Sequence, residues 1–148
     1  MTDSVFATPD EAENAFYDAF QASDLEAMMS VWADQEFIEC IHPISDRDRG
    51  RTAVEESWRR IFDGGLKVVL ELSGIHRTQD ALLAIHVVYE HFRTPEEDQQ
   101  HPPVVATNIY QLIGGSWHMI LHHASPTSAD EPGMDDTSTD EQGSARLH

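Results

Sequence analysis

The spacing of apolar residues changes at Gly64-Gly65, and that change limits the possible folds more than any other feature of the chain. Before the glycine pair, apolar residues recur every three or four positions; after it they alternate or run together. Thr8-Pro9-Asp10-Glu11 opens a helix: Thr8 suits the cap, Pro9 the first turn, and the acids the positive end of the helix dipole. Ala12, Phe16, Ala19 and Phe20 form the apolar stripe, with Tyr17 beside the stripe and not in it. Ser23-Asp24 ends this helix and caps a second, whose apolar residues are Leu25, Met28, Met29 and Trp32. Phe37 to His42 reads as a short strand stopped by Pro43, and "SDRDRG" as a polar loop. "RTAVEESWRRIF" is a third helix with Val54, Trp58, Ile61 and Phe62 on one face, and the glycine pair stops it.

In the second half, "LKVVLELSGIH" reads as a strand, "RTQD" as a turn and "ALLAIHVVYEHF" as a longer strand. "RTPEEDQQHPP" is a polar connection, followed by the strand "VVATNIYQLI", a two-residue turn at Gly114-Gly115 and the return strand "SWHMILHHA". Helices first and a strand meander afterwards predict an α+β fold, with helices on one face of an antiparallel sheet. From Ser125 the apolar content collapses, and Asp130, Glu131, Asp135, Asp136, Asp140 and Glu141 face a single arginine, Arg146. Such a segment buries too little to offset its ordering entropy, so one domain is expected over 1–126 and an acidic disordered tail over 127–148.

The 148 residues, 40% of them hydrophobic, suit one core. The 27 acids against nine basic residues give a net charge of −18, which repels nucleic acid and anionic lipid. Cys40 is the only cysteine, so neither a disulfide framework nor a cysteine-based zinc site is expected. The polar, acidic N-terminus lacks the pattern of a signal peptide, and no apolar run approaches a membrane span. A cytoplasmic protein is the expectation.

Ile41-His42-Pro43, Gly50 to Trp58 ("GRTAVEESW"), Thr107 to Tyr110 ("TNIY") and Trp117 to Ser125 occur in an order and spacing that resemble the SnoaL-like branch of the nuclear transport factor 2-like superfamily. Ketosteroid isomerases and the association domain of calcium/calmodulin-dependent protein kinase II share that fold. The resemblance implies a cone-shaped roll, in which a curved, mostly antiparallel sheet wraps three N-terminal helices and leaves a pocket inside. It also implies a homodimer through the outer sheet face, on which Ile85, Val87 and Tyr89 fall.

His42 falls where the isomerases carry a catalytic acid before a proline, and a histidine suits proton transfer near neutrality. Alternation places Ile38 and Cys40 on its face. Similarity to the kinase association domain turns His86, Val88 and Glu90 inward, puts Asn108 in the pocket with Tyr110, and matches His123 to a histidine of that domain. Trp117, Met119 and Leu121 would share the face of His123, leaving His122 outside. The expected catalytic residues are His42, Asn108 and His123; the expected ligand contacts are Phe16, Phe20, Trp32, Cys40, Trp58, His86, Val88 and Tyr110. No acidic oxyanion donor of the isomerase kind is evident. Each residue also has a structural reading: His42 and His123 as satisfied hydrogen-bonding groups, the tryptophans and phenylalanines as core, Cys40 as a small buried residue. The inward histidines carry no compact metal motif, so neither metal nor cofactor is expected.

Two functions follow. One is a pocket for a small hydrophobic molecule, with acid–base chemistry of the isomerase, dehydratase or cyclase type. The other is a non-catalytic dimerisation or ligand-sensing module on the same fold.

Overall fold

A computed structural model of the protein describes residues 5–65, 67–94 and 101–128. Helices α1 (Pro9–Ala22) and α2 (Leu25–Val31) precede two short strands, β1 (Glu39–Ile41) and β2 (Arg47–Arg49). Helix α3 (Arg51–Asp63) leads into β3 (Val69–Gln79), β4 (Leu83–Arg93), β5 (Val104–Ile113) and β6 (Ser116–Pro126). All six strands form one curved, unclosed sheet in the order β2-β1-β6-β5-β4-β3. β1 runs parallel to β6, and the other pairings are antiparallel. The α+β expectation holds, with three helices against the sheet.

Local chemistry explains the helix ends. The Thr8 hydroxyl accepts the Glu11 amide at 3.1 Å, with Pro9 in the first turn. Ser23 takes the left-handed conformation that closes α1, and the Asp24 carboxylate accepts the Ala27 amide to start α2. The carbonyls at the end of α2 are taken by one side chain: Arg51 donates from Nη1 to Trp32 O and Ala33 O, and from Nη2 to Met29 O at 2.7 Å. Its planar fork ties α2 to the first turn of α3.

Three features depart from the sequence reading. The expected loop contains β2, whose Arg47 pairs with Glu39 of β1 at 3.1 Å and makes a charged edge. β3 continues to Gln79, over most of the expected turn at 77–80. A register shift between Ser73 and His76 absorbs the irregularity, and the turn is set instead by Asp80, whose carboxylate accepts the amides of Leu82 and Leu83. Gly74 sits in that shift with φ of 55°, and a Cβ there would come within 2.7 Å of the Tyr89 ring. Third, Thr127, assigned to the tail, donates from its amide and hydroxyl to Pro103 O. The rest of the expected tail, from residue 129, lies outside the described residues, as does 95–100 of the β4–β5 connection.

Replacing Arg51 by methionine leaves several buried carbonyls without their charged donor, and the expected loss is about 2–3 kcal/mol. Lysine should recover only part, since it lacks the fork. Chemical denaturation of the three proteins checks this; equal stability of all three would refute it.

Candidate functional site

Strand pairing aligns Cys40, His122, Asn108 and His86 in one row across the inner face of the sheet. Tyr17, on α1, reaches this face from above and is 5% exposed. Its hydroxyl donates to Glu90 Oε2 at 2.6 Å and accepts from Asn108 Nδ2 at 2.9 Å. Asn108 Oδ1 can only accept, so His122 Nδ1, 2.6 Å away, is the donor. The bonds therefore run in one direction, from His122 through Asn108 and Tyr17 to Glu90. They join three strands of functional side chains to one helix residue.

The electrostatics follow from burial. Glu90 is 1% exposed. Desolvation, opposed by the bond from Tyr17, pushes its carboxyl up to about 7. Burial, assisted by His42 and His123, lowers His122 to about 3, which keeps its imidazole neutral at physiological pH. The Tyr17 hydroxyl is raised well above its ordinary value, by burial first and then by the charge of Glu90.

His42 lies just past β1 and packs edge-on against Trp58, with ring centres 4.7 Å apart. Ser57 Oγ already donates to Val54 O, so its lone pair takes the Nε2 proton of His42 at 3.2 Å. Cys40 Sγ lies 3.4 Å from the same nitrogen. Nδ1 is thus the lone-pair nitrogen. Burial, against the pull of Asp48, lowers the imidazole to about 4. Phe16, Phe62, Phe92 and His122 complete an aromatic cluster around Trp58 and Phe20. Phe16, Trp58 and His122 are buried, whereas Phe20, His42, Phe62 and Phe92 are half-buried at its margin.

The structure divides the expected site. His42, Asn108, Phe16, Phe20, Cys40 and Trp58 meet around the buried chain. His86 and Tyr110 stand apart from the aromatic cluster, ring centres 5.0 Å from each other, beside Glu13 of α1. Trp32 packs at the end of α2, bridged to Met119, and Val88 lies in the apolar floor opposite Ala106.

His123 is corrected: it is exposed, and its neighbour His122, 1% exposed, faces inward. Ile109 pairs with Leu121 and Tyr110 with Met119, so Ile120 is an extra residue in β6 that reverses the alternation beyond it. Trp117 and Met119 face inward as expected, but Leu121 leaves their face and Ala124 joins it. Tyr17 is also corrected, from the edge of the core stripe into the core. Tyr17 bonds Glu90, a buried acid that the sequence reading turned inward by resemblance to the kinase association domain but gave no role.

The carboxyl of Glu90 titrates higher in the folded chain than at its ordinary 4.5, so its ionisation works against folding. The penalty is absent below about pH 4, grows as pH rises to about 7, and then levels off near ~3 kcal/mol. Glu90→Gln should therefore gain in melting temperature over the parent as pH is raised from 4 to 8. A difference that stays constant across this range would show that Glu90 ionises freely.

Comparison with known proteins places this geometry in a family. The model of the SnoaL-like domain matches residues 10–129. A Thiobacillus denitrificans protein, provisionally assigned as a calcium/calmodulin-dependent protein kinase type II association domain, is 39% identical, with a TM-score of 0.81 over 84% of this chain and 99% of that one. A Streptomyces avermitilis protein, provisionally assigned as a dehydratase of the NTF2-like family, is 27% identical, with a TM-score of 0.72 over 82% of this chain and 100% of that one. The F-box protein SKIP8 of Arabidopsis thaliana is 23% identical over 116 residues, which is 78% of this chain and 48% of that protein. The chain thus spans about half the length of this curated relative. Among the described residues no helix is long and apolar enough to cross a membrane. By its fold and by the match along most of its length, the chain belongs to the SnoaL-like family within the NTF2-like fold.

Proposed function

We propose that the concave face binds a small hydrophobic organic molecule and that Glu90 moves a proton on it, in chemistry of the isomerase or dehydratase type. The supporting observation is a buried carboxyl, bonded to the Tyr17 hydroxyl and held near neutrality, where an acid–base group works best at physiological pH. Tyr17 engages Oε2, so Oε1 is the atom for transfer. Asn108 and His122 stand behind Tyr17 and fix its direction. Phe20, Phe62, Phe92 and His42, the half-buried margin of the cluster, form the mouth. His42 stays neutral but, at about 4, is a weak base, so it positions the ligand and does not take its proton. The dehydratase assignment of the Streptomyces protein agrees with this chemistry.

A thermal-shift screen of small hydrophobic ketones, acids and alcohols supplies the ligand, since ligands that bind only the folded state stabilise it. With a substrate in hand, kcat/KM should rise with pH through about 7, because the base must be ionised. A limb near 4 would assign the base to His42 instead. Glu90→Gln should lose about 10²–10⁴-fold in rate, and wild-type turnover by that variant would refute the reading.

A second reading, an association module, has its own support. Leu83 and Ile85 on the outer face are exposed, Ile85 by 40%, with Val87 and Tyr89 half-buried beside them. The Thiobacillus protein bears an association-domain assignment. We propose a homodimer through this face, independent of catalysis. Val87→Glu should give a monomer by light scattering; an unchanged dimer would place the interface elsewhere, and a monomeric parent would exclude it.

A further inference from the structure

The cluster apart from the aromatic site, at the junction of α1 and β4, has chemistry of its own. Asp10 and Glu13, one turn apart on α1, face His86 of β4. Each offers a ligand atom, and the three atoms lie within 4.8 Å of one another. Arg77 of β3 donates to Glu13 Oε1 at 2.8 Å and lies 3.3 Å from Asp10 Oδ1, so the other carboxylate oxygen of Glu13 remains available.

That oxygen is buried without a hydrogen-bond partner among the described residues, and so is His86 Nδ1. The two atoms are 3.4 Å apart yet lack hydrogen-bond alignment. Two adjacent ligands of a tetrahedral zinc ion, with bonds of about 2.0–2.2 Å, are separated by roughly 3.4 Å. Tyr110 adds an observation independent of the carboxylates. Its ring lies 5.0 Å from that of His86, its hydroxyl is fully buried and unpartnered, and Glu13 is the nearby charge that acts on it most. Three buried polar atoms from α1, β4 and β5 thus lack a hydrogen bond among the described residues. Such groups are costly unless something satisfies them together. Asp10 is 58% exposed at the outer side and can swing without disturbing the core.

We propose that Asp10, Glu13 and His86 bind a zinc ion, with Tyr110 beside it. The ligands are one imidazole and two carboxylates, a set of borderline softness that suits zinc over calcium or magnesium. The charges are right for a divalent cation: two carboxylates against one guanidinium leave the cluster negative. The ion would link the start of α1 to β4.

The test uses the full-length chain with zinc chloride, followed by gel filtration and metal analysis. A chain with 27 acids and nine histidines takes up some zinc non-specifically, so two variants provide the discrimination. Asp10→Asn changes an exposed residue and should fold normally; His86→Gln removes the nitrogen ligand. The parent should retain one equivalent of zinc and gain in melting temperature. Cobalt in its place should give the visible absorption of a tetrahedral site. Both variants should bind at least tenfold more weakly and lose that absorption. Failure of the parent to retain zinc would overturn the proposal. So would parent-like affinity in Asp10→Asn, which stands as the deciding variant if His86→Gln does not fold.

Discussion

The hydroxyl of Tyr17 is the point on which helix and sheet depend. It is the single atom that meets both Glu90 of β4 and Asn108 of β5, and through Asn108 it reaches β6. Without it, a buried carboxyl and a buried amide would face each other unsatisfied, at a cost of about 1–3 kcal/mol for each orphaned group. The packing of Phe16 on His122 and of Phe20 on Phe92 brings α1 to the sheet, but dispersion has no direction. The Tyr17 bonds, together with those from Arg77 to Glu13 and from the Leu70 amide to Gln21, fix the rotation of α1 about its own axis and its height above the strands.

Burial at this site acts with opposite sign on its acid and its bases. His42 and His122 are lowered, to about 4 and about 3, so both become less favourable as pH falls below their ordinary 6.5. Glu90 is raised, so it becomes less favourable as pH rises towards 7. A neutral site is therefore the stable one, and the two effects partly cancel through the weakly acidic range. Such a site resists charging from either side, which is what a pocket for an uncharged ligand requires.

Much of the fold was legible because it rests on local chemistry. The caps at Thr8 and Asp24, the Gly114-Gly115 turn and the change of period at Gly64-Gly65 each act within a few residues, and each is written in the sequence. The site was legible only where strands keep strict alternation. Alternation put His86, Val88 and Glu90 on one face, the resemblance to the kinase association domain turned that face inward, and they are buried. β6 failed because Ile120 is in no way marked as a bulged residue: it is an isoleucine between Met119 and Leu121 in a strand-like run, with no glycine to signal the irregularity. Tyr17 failed for a different reason. A helix stripe drawn from apolar residues undervalues a tyrosine, whose ring belongs inside while its hydroxyl waits for a partner more than seventy residues away. Asp10 and Glu13 read simply as acids suited to a helix start, and only the packing of α1 on β4 gave them His86 as a neighbour.

The extra residue at Ile120 makes β6 a strand with a reading frame. Loss of Ile120 itself would restore simple alternation and leave His122 opposite Asn108, because the pairs on either side of the extra residue keep their register. The chain carries His122 and His123 side by side at this place. Loss of Leu121, with Ile120 kept as the extra residue, would instead bring His123 opposite Asn108 and turn His122 outward, so in either case an imidazole ends the hydrogen-bonded chain.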